Sequence, residues 1–227
     1  MKTRSIKKFI AGAVGLCLFI FVICVVRLKT LALEGNRLFE YRCQKVNPLL
    51  IGYKNSFLKF ADYLKSPNKY SDEEVKSFLD GYMGGMKGYI DEENKWLVMQ
   101  RDLLDRWDFK LLEPWYIQRT GEYQWKMYEA YRDDAKALSS MADNPDSGEK
   151  LMADSKEARE RISKYSNLYF DAFNQAVQIK DWRKFFGRAP EPNCREEDLV
   201  IPDTSGAIDR IIPTPTPEPG TPMSPNG

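Results

Sequence analysis

The sequence predicts an all-α protein made of a single-pass membrane anchor, an antiparallel helical bundle and a disordered Pro/Thr-rich tail. Three observations carry that expectation. An uncharged apolar run stands near the amino end, and nine of the thirteen prolines lie beyond Arg188. Between them, apolar residues recur at three- and four-residue steps, and no stretch alternates apolar and polar residues over strand length.

The anchor comes first. Residues 1–8 carry Lys2, Arg4, Lys7 and Lys8, and residues 9–26 read FIAGAVGLCLFIFVICVV, eighteen positions without a charge. At about 1.5 Å per residue such a helix spans roughly 27 Å, close to the hydrocarbon thickness of a bilayer. A cleaved signal peptide has a shorter apolar region with a small-residue cleavage site behind it. Here Arg27 and Lys29 follow the run at once, so the sequence favours an uncleaved anchor. The basic amino end favours a cytoplasmic position for residues 1–8, although Arg27, Lys29, Arg37, Arg42 and Lys45 weaken the asymmetry. Cys17 and Cys24, seven apart on one helix face, read as small packing residues.

Residues 27–47 read as a membrane-proximal helical linker. From there the bundle is expected over 48–187. Asn47-Pro48 reads as an N-cap followed by proline in the first turn. The helix after it places Leu50, Lys54, Phe57, Ala61 and Leu64 on one stripe and ends at Ser66-Pro67-Asn68. Ser71-Asp72-Glu73-Glu74 is a capping box that opens a helix running to about Leu112. Val75, Phe78, Leu79, Tyr82 and Met86 line its early face, and Trp96, Leu97, Leu104, Trp107 and Leu111 its later one. Pro114 opens the next helix, lined by Trp115, Ile117, Tyr128, Tyr131, Ala135 and Leu138. Asp143-Asn144-Pro145-Asp146-Ser147-Gly148 is a turn signal. A last helix with Leu151, Ala158, Ile162, Tyr165, Tyr169, Ala172, Ala176 and Ile179 on its face ends at Gly187. Tight turns between long helices imply antiparallel neighbours. Residues 188–212 read as an extended segment that docks on the bundle, and 213–227 as the Pro/Thr-rich tail, which cannot pack a core.

Composition limits function. The chain has no histidine and a net charge of +1. Histidine-based triads, histidine-ligated metal or haem sites and histidine pH switches are excluded. The near-neutral balance argues against nucleic acid as a partner. Residues 30–187 hold 25 basic and 26 acidic residues, as a solvated helical domain does.

Four features invite a sharper reading. Cys43 and Cys194 bracket the soluble domain, and a disulfide between them would require an oxidising compartment, hence an extracytoplasmic domain at the cell membrane. Gly81, Gly84, Gly85 and Gly88 sit in a helical stretch at a cost of about 1 kcal/mol each relative to alanine, which implies close helix packing or a break near Asp80. Trp96, Trp107, Trp115, Trp125 and Trp182 read as core, and the first four alternatively as a groove for a small ligand or glycan. The carboxylates Glu92, Glu93, Asp102, Asp105, Asp108, Asp133 and Asp134 have basic neighbours at helical spacing, such as Asp102 with Arg106 and Asp105 with Arg101, and read as solvated ion pairs. No cofactor is implied. The expectation is a non-enzymatic, membrane-anchored structural or interaction protein. Its partners would be membrane lipid, through the anchor, and another protein. A ligand-binding module is the alternative and a carboxylate hydrolase a weaker one.

Overall fold

The computed structural model describes residues 2–144, 147–181, 193–195, 197, 200–202 and 204. Gly187, Trp182 and the tail 213–227 lie outside the described residues, as does most of 188–212. The protein is all-α. Its helices are α1 (Lys2–Tyr41), α2 (Asn47–Lys65), α3 (Asp72–Asp105), α4 (Trp107–Leu112), α5 (Trp115–Asp143) and α6 (Gly148–Gln178).

α1 and α2 form one unbroken rod joined by a π-helical turn over Arg42–Val46. Asn47 is therefore not an N-cap: its φ and ψ are helical, and its N–H donates to the Arg42 carbonyl, five residues back. Pro48 brings no N–H to the ladder, so the wide turn just before it absorbs the missing bond. The turn also resolves a slip in the buried pattern. Leu28, Leu31 and Arg42 are buried below it, with Leu38 half-buried between them, and they fit a seven-residue repeat. From Cys43 within it the repeat resumes one residue late and continues through Val46, Leu50, Tyr53 and Phe57. The wide turn takes up that extra residue, so the consecutive pair Arg42 and Cys43 both face inward. The segment read as a linker is thus part of the bundle.

α1 is long and apolar enough to cross a membrane, and its most apolar window is only 11% buried. That window is not a core segment of the bundle, because Leu16, Leu18, Phe19, Ile20, Val22 and Val26 are all exposed.

α3 turns back along α2 and then along the upper part of α1. Its start is the expected capping box: Glu74 N–H donates to Ser71 Oγ at 3.3 Å and Ser71 N–H to Glu74 Oε2 at 2.8 Å. Its end comes at Asp105 rather than Leu112. Arg106 has extended backbone (φ −63°, ψ 137°), which starts α4 as a separate helix. α5 packs antiparallel on α3, and α6 on α5. The core is centred on Val46, Leu50, Tyr53, Met86, Tyr89, Trp96, Leu97 and Ala135. A second cluster, Leu31, Leu104 and Phe109, closes the end nearest the apolar run.

Candidate functional site

The described residues present two built features, one at mid-height in the bundle and one at the end beside the apolar segment.

The first is an ion pair that the sequence reading left on the surface. Arg42 and Glu93 are 1% and 0% exposed. The π turn aims Arg42 inward, and Glu93 lies on the same α3 face as Met86, Tyr89, Trp96 and Gln100. Arg42 Nη1 donates to both Glu93 carboxylate oxygens, at 2.7 and 2.9 Å. The guanidinium carbon lies 3.1 Å from the Tyr128 ring centroid and 4.5 Å from that of Trp96, so aromatic faces cover the cation where acceptors are absent. Trp96 in turn donates Nε1–H to the Leu38 carbonyl at 2.9 Å. Burial raises the Glu93 carboxyl above its usual range, against the opposing pull of Arg42. The signal available in the sequence was a glutamate inside an apolar stripe of helical period.

The disulfide cysteines stand next to this pair. The Sγ atoms of Cys43 and Cys194 are 2.16 Å apart and their Cα atoms 5.6 Å. Neighbouring bonds hold the returning chain in place. Gln44 Nε2 donates to the Asn193 carbonyl at 3.0 Å, and Asn193 N–H donates to Glu40 at 3.0 Å. Further on, Lys54 reaches the Pro202 carbonyl at 3.4 Å, Ile201 packs on the core and Thr204 is buried. Asn193, Cys194, Ile201 and Pro202 thus lie against the rod formed by α1, the wide turn and α2.

The second feature is the corner formed by α4 and the start of α5. Asp108 is 2% exposed and is held by Arg27 Nε at 2.6 Å and by Arg106 at 3.0 Å. Arg106 also bonds Glu34, rather than the expected Asp102. Arg106 and Arg27 hold the Asp108 carboxyl well below the usual carboxylate range, against the effect of burial. Inward, α4 packs Phe109 and Leu112 on Leu31 and Leu104. Outward it leaves Trp107 at 76% and Leu111 at 69% exposure, and Trp115 just beyond it is 61% exposed.

The four tryptophans therefore do not share one groove. Trp96 is core, Trp125 is half-buried and donates to the Leu97 carbonyl at 3.0 Å, and Trp107 and Trp115 project from the corner. A cavity of about 310 Å³ between α5 and α6 is lined by Asp133, Lys136, Ala137, Ser140, Leu151, Asp154, Glu157 and Arg161, with no aromatic ring among them.

The glycines divide by face, and the helix runs through them unbroken. A Cβ on Gly85 would come within 3.1 Å of Tyr53 Cβ, one on Gly81 within 2.7 Å of Ser56 Oγ, and one on Gly88 within 3.8 Å of Leu49. Gly84 has nothing within 4 Å. Gly85 and Gly81 thus let α2 approach α3 closely, whereas a Cβ on Gly88 would make only ordinary contact. Among the carboxylates, Asp105 bonds Arg101 at 2.6 Å, and Asp133 bonds Arg132 and Arg161. Asp134 is buried and accepts from Ser155 Oγ at 2.7 Å. Among the described residues, no group of three or more Cys, Asp or Glu side chains is placed to hold a metal ion.

No protein-family model, curated protein or solved structure matches this chain.

Proposed function

We propose that the chain is a single-pass membrane protein whose helical bundle lies outside the cytoplasm and acts as a structural or protein-interaction module. The observation that carries this reading is the unbroken helix from the exposed apolar segment into the bundle core. A bundle built on the anchor itself is held at a fixed height and orientation, as suits a part that meets other proteins near a membrane. At about 1.5 Å per residue, the rod from Arg27 to Lys65 reaches roughly 57 Å beyond the apolar run. The approach of Cys43 and Cys194 supports the outward side, because such a bond persists in oxidising compartments.

The test is thiol labelling in cells that express the full chain with Cys17→Ser and Cys24→Ser. Cys43 and Cys194 are expected to react with a membrane-impermeant maleimide in intact cells, and only after reduction. Labelling without reductant, and only after permeabilisation, would place the bundle in the cytoplasm. A photocrosslinking scan over the exposed faces of α5 and α6 addresses the second half of the reading. It is expected to yield discrete cross-linked species, and a chain that remains uncrosslinked at every position would overturn the interaction role.

A further inference from the structure

We infer that the α4 corner is a second membrane contact, with Trp107, Leu111 and Trp115 seated in the interfacial layer of the bilayer that the anchor crosses. The inference rests on the anchoring reading and adds to it a contact made by the bundle itself.

Position is the first argument. The apolar run ends at Val26, so Arg27 falls at the boundary between hydrocarbon and headgroups. Arg27 Nε bonds Asp108 at 2.6 Å, which fixes α4 at that same level. The corner also packs Phe109 on Leu31, one helical turn above Arg27. A helix pinned beside the first charged residue after a membrane span lies against the membrane surface, whatever the tilt of the span.

Chemistry is the second. The sequence of α4, WDFKLL, is apolar on two sides. Phe109 and Leu112 supply the packing against α1 and α3, so Trp107 and Leu111 are surplus to the core. In water these two residues and Trp115 would leave large apolar side chains in contact with solvent at one corner. Tryptophan is enriched at the membrane interface, where its ring lies among headgroups and its N–H remains wet. Both charged groups of the inward side, Asp108 and Arg106, are consumed by ion pairs. Lys29, exposed on α1 two residues beyond Arg27, suits a lipid phosphate, while Lys110 is paired with Asp105 at 3.0 Å. A short segment of this kind adds a shallow contact to the span, in the manner of an interfacial helix.

The experiment uses the full chain with Cys17→Ser and Cys24→Ser, reconstituted in phosphatidylcholine vesicles. A nitroxide is attached through Ile20→Cys, Leu111→Cys or Ser66→Cys, one at a time, with the Cys43–Cys194 pair left oxidised. Collision with oxygen, which partitions into lipid, is compared with collision with an aqueous nickel chelate. The ratio is expected to be high at position 20, low at 66, and at 111 at least threefold above that at 66. A ratio at 111 equal to that at 66, with 20 still high, would overturn the inference and leave the anchor intact. Low accessibility to both reagents at 111 would also overturn it, since protein, such as a second copy, would then cover the corner. A low ratio at position 20 would remove the anchoring reading itself.

Discussion

At the scale of single residues, the Arg42–Glu93 pair dominates. Both groups have left water, and each is tolerable only because the other is present. Glu93→Gln leaves a buried guanidinium without its counter-charge and is expected to cost about 3–5 kcal/mol, read as thermal or urea unfolding of the full chain in detergent. Replacing both partners, with Arg42→Met and Glu93→Leu, is expected to recover most of that loss. Asp134 gives a pH-dependent counterpart. Burial raises its carboxyl above the ordinary value, although the Ser155 hydroxyl opposes the shift. The native state thus holds this proton when the unfolded chain has already released it. Its contribution is fully present below about pH 4, the ordinary range for aspartate, and fades as pH rises through the raised value. Asp134→Asn keeps an acceptor for Ser155 but removes the titration. The stability of the natural protein relative to this variant is expected to fall as pH rises above 4. Neither buried carboxylate was evident from charge spacing. Glu92 and Glu93 look alike in sequence, yet Glu92 bonds Lys95 and Tyr41 at the rim while Glu93 turns inward. Position on the apolar stripe distinguishes them, and charge spacing carries no such information.

At the scale of elements, the long helices were legible because period, capping and turn residues agreed. The start of α5 and the capping box of α3 follow directly from Pro114 and Ser71. The last helix stops at Gln178, where Ile179 turns extended, rather than at Gly187, and at two junctions a distant contact prevailed over a local rule. Asn47-Pro48 satisfies every local requirement of a helix start, but the π turn lets the rod continue and brings Cys43 and Arg42 inward together. At Arg106 no proline or glycine announces a break. The chain bends where Arg106 reaches Glu34 on α1 and Asp108 reaches Arg27. The glycines test the packing of α2 on α3. Gly84→Ala adds a methyl to open space and is expected to stabilise by about 0.5–1 kcal/mol through helix propensity. Gly85→Val drives a branched side chain into Tyr53 and is expected to destabilise by about 1–3 kcal/mol. The difference in melting temperature between the two variants measures how closely the helices approach.

At the scale of the whole molecule, the approach of two distant cysteines ties the returning chain onto the rod. Cys43 and Cys194 are 151 residues apart in sequence, and Asn193 and Pro202 bond to Glu40, Gln44 and Lys54 along the rod. Reduction of the pair is expected to lower stability by about 3–5 kcal/mol, seen as a shift of the denaturant midpoint with dithiothreitol. The α5–α6 hairpin meets the rod mainly through α3 and α5, so a reduced chain is expected to lose protection first where the returning segment docks, by hydrogen exchange. Sequence supplied the bracketing cysteines and the return of the chain. The height at which the returning segment lands depends on side-chain hydrogen bonds that leave no periodic trace.

The wide turn at Arg42–Val46 also sets a bearing. An α-helix advances about 100° per residue, so one extra residue wound at α-helical pitch would turn everything beyond it by that angle, and the wide turn cancels the rotation. Above the turn, the stripe of α2 meets the same α3 that α1 meets below it. Removal of a single residue there is expected to restore regular α-helix and bring the two buried stripes into one seven-residue register, with α2 still facing α3. One wide turn of backbone thus keeps a single face of the rod turned toward α3 along its buried length.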